Sequence, residues 1–136
     1  NFAKDIANMI MDHVKTEDAI PYWDYDAPVT KETPRDVSAA SVTASAMIEL
    51  STMVPDGQKY LDYAEKILKS LSSDAYLAKV GDNQGFILMH SVGSLPNGSE
   101  IDTPLNYADY YYLEALKRFM ELKKLKVENG ELRVIQ

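Results

Sequence analysis

The sequence predicts an all-α chain: part of an (α/α)6 barrel, about four helices as two hairpins, with long loops entering the inner helices. Helical segments with one wet face alternate with segments that are dry nearly all round, and each dry segment follows a long loop. Two concentric layers of helices produce that alternation, with buried inner helices and half-wet outer ones. Four helices are too few to close such a ring, so the chain reads as roughly a third of a twelve-helix barrel.

The elements follow in order. Residues 2–15 place Phe2, Ile6, Met9, Ile10 and His13 at helical spacing, with Lys4, Asp5, Asp12 and Lys15 opposite. This is an amphipathic helix with one wet face, the charged one. Asn1 to Ile6 already reads as mid-helix with no preceding cap, so the reading expects further chain before Asn1. Pro21, Pro28 and Pro34 then forbid a continuous helix and leave a loop rich in aromatics and carboxylates. Asp36 suits an N-cap, and from Val37 to Ile48 no residue is charged, which predicts a buried helix of small side chains.

Pro55-Asp56-Gly57 signals a turn. The next helix, 57–71, has a dry stripe of Tyr60, Ala64, Ile67, Leu68 and Leu71, with Asp62–Lys66 and Glu65–Lys69 as exposed pairs. A short helical turn is expected at Ser73–Leu77. Residues 80–103 are irregular, with Gly81, Gly85, Gly93, Gly98 and Pro96, and Phe86–Met89 is a candidate strand. A loop of that length in a compact domain usually serves function. Thr103-Pro104 resembles an N-cap followed by proline at the first helical position. The last helix should begin buried, since Asp109 is the single charge between Leu105 and Leu113, and turn wet after Glu114, with Glu114–Arg118 as a pair. Residues 125–136 read as a hairpin around Asn129-Gly130, with Val127 and Leu132 on one face, or as a frayed tail.

Composition narrows the classes. With 136 residues, one domain or less is expected. A net charge of -7 argues against a nucleic-acid surface, which needs clustered Lys and Arg. Cysteine is absent, so disulfides and thiolate zinc sites are excluded, and only His13 and His90 offer imidazole. No apolar run reaches the length of about 18 residues that spans a membrane. A cytoplasmic and a periplasmic location are both left open.

Three motifs in order and at fixed spacing point further: Tyr22-Trp23-Asp24-Tyr25-Asp26-Ala27-Pro28 followed by Arg35-Asp36-Val37-Ser38-Ala39-Ala40; His90-Ser91-Val92-Gly93-Ser94; and Asp109-Tyr110-Tyr111-Tyr112-Leu113-Glu114-Ala115-Leu116. Together they resemble the unsaturated glucuronyl hydrolases, a family of glycoside hydrolase family 88 type, over residues 1 to about 122. The resemblance implies the C-terminal segment of a single six-hairpin (α/α) barrel domain, residues 1–136. It implies action on lyase-generated oligosaccharides carrying a 4,5-unsaturated uronic acid. In that chemistry an acidic residue protonates the vinyl ether at C4, water adds at C5, and the hemiketal collapses, unlike hydrolysis by flanking carboxylates. Neither a metal nor an organic cofactor is implied. The family's two essential aspartates fall in earlier helices and have no counterpart here, so no catalytic residue is carried over and the chain alone should be inactive. A Ser-x-x-Ser-x-Lys run in the family's late loop corresponds to Ser94, Asn97 and Ser99. One serine is kept and the lysine is absent, which argues against sulfate recognition by this loop.

In such barrels the loops entering inner helices line one mouth. Trp23, Arg35, Ser94, Asn97 and Ser99 are therefore the candidate substrate-binding residues. Trp23 would stack on a sugar face, and Arg35 would clamp a uronate carboxylate. The competing structural readings are that Trp23 caps the core and that Arg35 pairs with Asp24, Asp26 or Asp36. Capping and turn formation are the ordinary roles of those three aspartates, and core packing that of Tyr110-Tyr111-Tyr112. Asp109, a lone charge in a dry helix, needs partners and is suited to pinning the mouth loops or capping the helix. His90 reads as a packed or hydrogen-bonded loop residue. Asn97-Gly98-Ser99 matches a glycosylation sequon that an Asn-Gly turn also explains, and Gly81–Gly85 is too loose for a phosphate loop.

The alternatives are a barrel of the unsaturated rhamnogalacturonyl hydrolase type and a non-catalytic helical-repeat module. Solenoid repeats have a fixed period and short turns, and neither is present here. Two dry helices in so short a chain predict exposed apolar surface that the rest of a barrel, or self-association, must cover.

Overall fold

The computed structural model describes residues 2–128. Four helices form: α1 (Phe2–His13), α2 (Val37–Met53), α3 (Gln58–Leu71) and α4 (Asn106–Glu128). Among the described residues the β structure is limited to isolated bridges, and Phe86–Met89 contributes one of them, Leu88 to Leu77, in place of the expected strand.

Helix α2 is the centre of the packing and contacts α4 and α3 most extensively. Asp36 caps it, accepting from the Ser38 amide, and the extended Val54 ahead of Pro55 ends it. Val37, Ala40, Ala44, Met47 and Ile48 are buried against the neighbouring elements. Its small side chains let α4 approach closely, and its buried hydroxyls are satisfied: Ser41 Oγ donates to the Val37 carbonyl at 2.8 Å. Ser45 Oγ donates to Glu114 of α4 at 2.5 Å. The Arg118 guanidinium donates to the Ser45 carbonyl and pairs with Glu49 and Glu114, so one arginine ties two turns of α2 to α4.

Helix α3 follows the expected stripe: Tyr60, Ala64, Ile67, Leu68 and Leu71 are all buried. Lys69 pairs with Glu65 as expected, and Asp62 accepts from Gln58 at 2.7 Å. Residues Ser73–Leu77 form a turn, with the Tyr76 and Leu77 amides both donating to the Ser73 carbonyl.

Four expectations are corrected. In α1 the stripe of Phe2, Ile6 and Met9 faces outward, Phe2 with 79% of its surface exposed, while Ala7 is the buried residue and Ile10 and Met11 pack on the core. Small Ala7 allows the closest approach, so the helix presents that side inward and its larger apolar side is left without a neighbour. Helix α4 begins at Asn106 and not at Pro104, because the Thr103 backbone is taken up in an antiparallel pair with Ser91. Of the three tyrosines only Tyr112 is in the core, and Tyr110 is 60% exposed, in line with exposed Tyr107, Leu113 and Met120. Spacing by three and four puts these on one outward side of α4. Helix α4 also runs on through Glu128, where the first strand of the hairpin was expected, and Asn129, Gly130 and Leu132 lie outside the described residues.

Candidate functional site

The two long loops meet at the N-terminal end of α2. The Val37 amide, in the first turn, donates to the His90 carbonyl at 3.1 Å. Asp36 Oδ1 accepts from the Ser38 amide at 3.0 Å, the Ser38 hydroxyl at 2.6 Å and the Val92 amide at 3.2 Å. One helix cap thus holds both loops. At the start of α4, Asp109 does the same: its two carboxylate oxygens accept from the amides of Ile87 (2.8 Å) and Leu88 (2.9 Å). The one charge between Leu105 and Leu113 therefore pins the second loop.

Beyond that pin, residues 91–103 fold back as an arm. Ser91 and Thr103 exchange backbone hydrogen bonds of 3.0 Å, and the Gly93 amide donates to the Glu100 carbonyl at 2.7 Å. The tip turns at Ser94–Ser99. The Ser94 carbonyl accepts from the amides of Asn97 and Ser99, and Asn97 Nδ2 donates to Ser94 Oγ at 2.8 Å. Gly98 sits at φ 66, a left-handed conformation that glycine adopts freely. Ser94, Asn97 and Ser99 are thereby brought together, and Asn97 and Ser99 are exposed.

The first loop closes through an antiparallel bridge between Tyr22 and Arg35, with the Trp23 amide donating to the Pro34 carbonyl at 3.0 Å. Trp23 is half-buried. This bridge folds Arg35 back beside residues 18–22, so its ion-pair partner is Asp18 (3.0 Å) and not Asp24, Asp26 or Asp36. Arg35 also donates to the Ile20 carbonyl and stacks its guanidinium 4.6 Å from the Tyr22 ring centre. Asp24 makes a local turn, accepting from the Asp26 amide at 2.7 Å.

Asp18 is the residue that sequence reasoning missed. Besides Arg35 it accepts from the Ile20 amide (3.1 Å) and the Tyr76 hydroxyl (2.5 Å). Partial burial pushes its carboxyl up, but the Tyr76 hydroxyl, the Ile20 amide and Arg35 together outweigh this and hold it below 3.8, the ordinary value. Tyr76 is raised in turn, chiefly by burial and then by its bond to Asp18. A lowered folded-state value means that Asp18 stabilises the fold fully above its unfolded-chain value and progressively less as pH falls through the folded one. Asp18→Asn should therefore cost about 1 kcal/mol near neutrality, and the two proteins' urea midpoints should converge below pH 3.8. Equal midpoints at pH 7 would remove Asp18 from this role. No sequence spacing marks the triad, because Asp18, Arg35 and Tyr76 come from three separate segments.

The clefts lie elsewhere. One of about 350 Å³ is lined by Asp74, Leu77, Lys79, Asp82, Asn83 and Met89. Another of about 220 Å³ lies between the C-terminal halves of α2 and α4, beside Arg118 and Glu121. Neither includes Trp23, Arg35, Ser94, Asn97 or Ser99. Among the described residues no group of three His, Asp or Glu is placed to hold a metal ion. No helix there is long and apolar enough to cross a membrane.

No family model matches the sequence. An unsaturated glucuronyl hydrolase of Formosa agariphila is 48% identical over 106 residues, which are 78% of this chain and 26% of that protein. A crystal structure of an unsaturated glucuronyl hydrolase specific for heparin superposes with a TM-score of 0.86 at 63% identity, over 89% of this chain and 33% of that one. This chain belongs to the unsaturated glucuronyl hydrolase family. It spans about a quarter to a third of the length of the relatives it matches. The family fold is the (α/α)6 barrel, and the four helices found here are part of one. A third relative, the unsaturated glucuronyl hydrolase of Streptococcus agalactiae, has been solved as a variant in complex with dGlcA-GalNAc6S; it aligns over 85% of this chain and 31% of that one, at 30% identity and a TM-score of 0.77.

Proposed function

We propose that this chain is the C-terminal segment of a glycan-degrading hydrolase that removes a 4,5-unsaturated uronic acid from lyase-generated oligosaccharides by hydrating the vinyl ether. The observation that carries the reading is the 63% identity to a heparin-specific family member over nearly the whole chain. The geometry agrees with it. Asp36 and Asp109, at the N-terminal ends of α2 and α4, hold the second long loop, which carries the tip Ser94–Ser99, and the first loop, which carries Trp23, leads directly into Asp36. In this reading Trp23 stacks on a sugar, and the tip contributes hydroxyl and amide groups to the neighbouring one. Arg35 acts one step back: tied to Asp18 and Tyr22, it shapes the loop that carries Trp23. The acid that protonates C4 comes from elsewhere in the barrel. The S. agalactiae complex with dGlcA-GalNAc6S supports an unsaturated uronyl disaccharide as the substrate class.

The test is loss of the unsaturated-uronate absorbance with lyase-generated disaccharides, run on this chain beside a barrel that contains it. Activity from the barrel alone is the expected result. Activity from the 136-residue chain alone would return catalysis to its own carboxylates, Asp24, Asp26, Asp36 and Asp109. Inactivity of both over glycosaminoglycan-derived substrates, with turnover of pectin-derived unsaturated sugars, would move the chain to the rhamnogalacturonyl type of barrel.

A further inference from the structure

The second loop carries a histidine–aspartate pair. His90 Nδ1 lies 2.5 Å from Asp102 Oδ1, at the base of the arm. Both residues have left-handed backbones, φ 69 and φ 50, a conformation that costs a non-glycine residue free energy. Each is fixed by its surroundings. The His90 carbonyl receives the α2 amide of Val37, and Asp102 adjoins Thr103, whose backbone pairs with Ser91. The His90 ring meets the edge of Tyr76, centroids 6.2 Å apart at 82°, and 42% of its side chain is exposed.

A structural clasp does not account for this arrangement. The base of the arm is already closed by the two Ser91–Thr103 backbone bonds. A side-chain pair this exposed adds little stability. What the pair does fix is the tautomer. An ionised carboxylate only accepts, so Nδ1 carries the hydrogen, and in the neutral ring Nε2 is left with its lone pair. Asp102 is itself 61% exposed, and its charge disfavours an anionic group beside the ring. A neutral donor is the matching ligand.

We propose that His90 is a further specificity-determining residue at this end of the bundle, its Nε2 accepting a hydrogen bond from a sugar hydroxyl while Asp102 holds Nδ1. The proposal rests on the glycan-cleaving reading. Asp102 is a positioning residue, acting through the ring.

Two measurements test it. Long-range proton–nitrogen spectra of the 136-residue chain at alkaline pH should show the hydrogen on Nδ1 and Nε2 bare; a predominant Nε2–H form overturns the proposal. In an active barrel containing this chain, His90→Leu should raise KM for an unsaturated uronyl disaccharide about tenfold, the worth of one good hydrogen bond, with kcat within about twofold and the unfolding midpoint unchanged. Asp102→Asn, which lets the ring reorient, should raise KM by less. An unchanged KM in His90→Leu overturns the proposal. An unsubstituted barrel that turns over no such disaccharide defeats the functional reading instead, and leaves the tautomer result standing by itself.

Discussion

Gly57→Ala should destabilise the fold by about 3 kcal/mol, the upper end of what overpacking costs, and lower the melting temperature by about 10 °C. Gly57 is buried where α2 ends and α3 begins. A methyl group there would stand 2.0 Å from the Ser51 carbonyl oxygen and 2.7 Å from its carbon. Those atoms are backbone, so no side-chain rotation relieves the clash, and the two helices must part. The conformation itself is ordinary, φ -66 and ψ -24, which any residue adopts. On helix propensity alone alanine would gain about 1 kcal/mol over glycine, so the sign of the change separates the two arguments. Gly85→Ala is the matched control. Its φ of 86 strains a side chain, but nothing lies within 4 Å of the added carbon. That variant should lose about 1 to 2 kcal/mol, from backbone strain alone. Thermal unfolding followed by circular dichroism decides it. A Gly57→Ala midpoint at or above that of the parent would mean the close approach of Ser51 is not real.

The contrast between these glycines shows which parts of the structure were legible beforehand. Pro55-Asp56-Gly57 marks a turn in any sequence, and the turn is there. That a carbonyl two helical turns' worth of chain away presses on Gly57 is a tertiary fact with no local signature. The same division runs through the molecule. The dry stripe of α3 was readable because an outer helix buries one face and wets the other, and period alone separates them. The Asp36 cap was readable because the chemistry of a helix start is local. In α1 the period was correct and the direction wrong: Phe2, Ile6 and Met9 form a stripe, but Ala7 occupies the contact, and hydrophobicity does not say which of two apolar sides faces this set of helices. At the candidate site, the resemblance pointed to Ser94, Asn97 and Ser99, the long loops into the inner helices pointed to Trp23 and Arg35, and the fold gathers the first three at one tip. It could not show that Arg35 reaches back to Asp18, because that contact depends on how the loop closes on itself.

Asp36→Ala should be nearly as damaging as Gly57→Ala, at about 2 to 4 kcal/mol, and should act on both loops at once. The side chain is buried, with 8% of the residue exposed, and one of its oxygens accepts three hydrogen bonds. Two of them come from Ser38, the one from its amide being the cap of α2, and losing an N-cap costs about 1 kcal/mol. The third comes from the Val92 amide, 56 residues further along the chain. With alanine at 36 that amide has no replacement acceptor from the side chain, and a buried donor left unpaired costs about 1 to 3 kcal/mol more. Asp36→Asn separates geometry from charge. Its amide oxygen can still accept from Ser38 and Val92, so it should lose only about 1 kcal/mol, the difference between a charged and a neutral acceptor. Hydrogen exchange locates the effect. In Asp36→Ala the amides of Ser38 and Val92 should both lose protection, while those of α3 follow only the global loss of stability. Faster exchange at Ser38 with Val92 unaffected would mean that Asp36 is a helix cap and nothing more. The second loop would then be held by Asp109 and the His90 carbonyl without it.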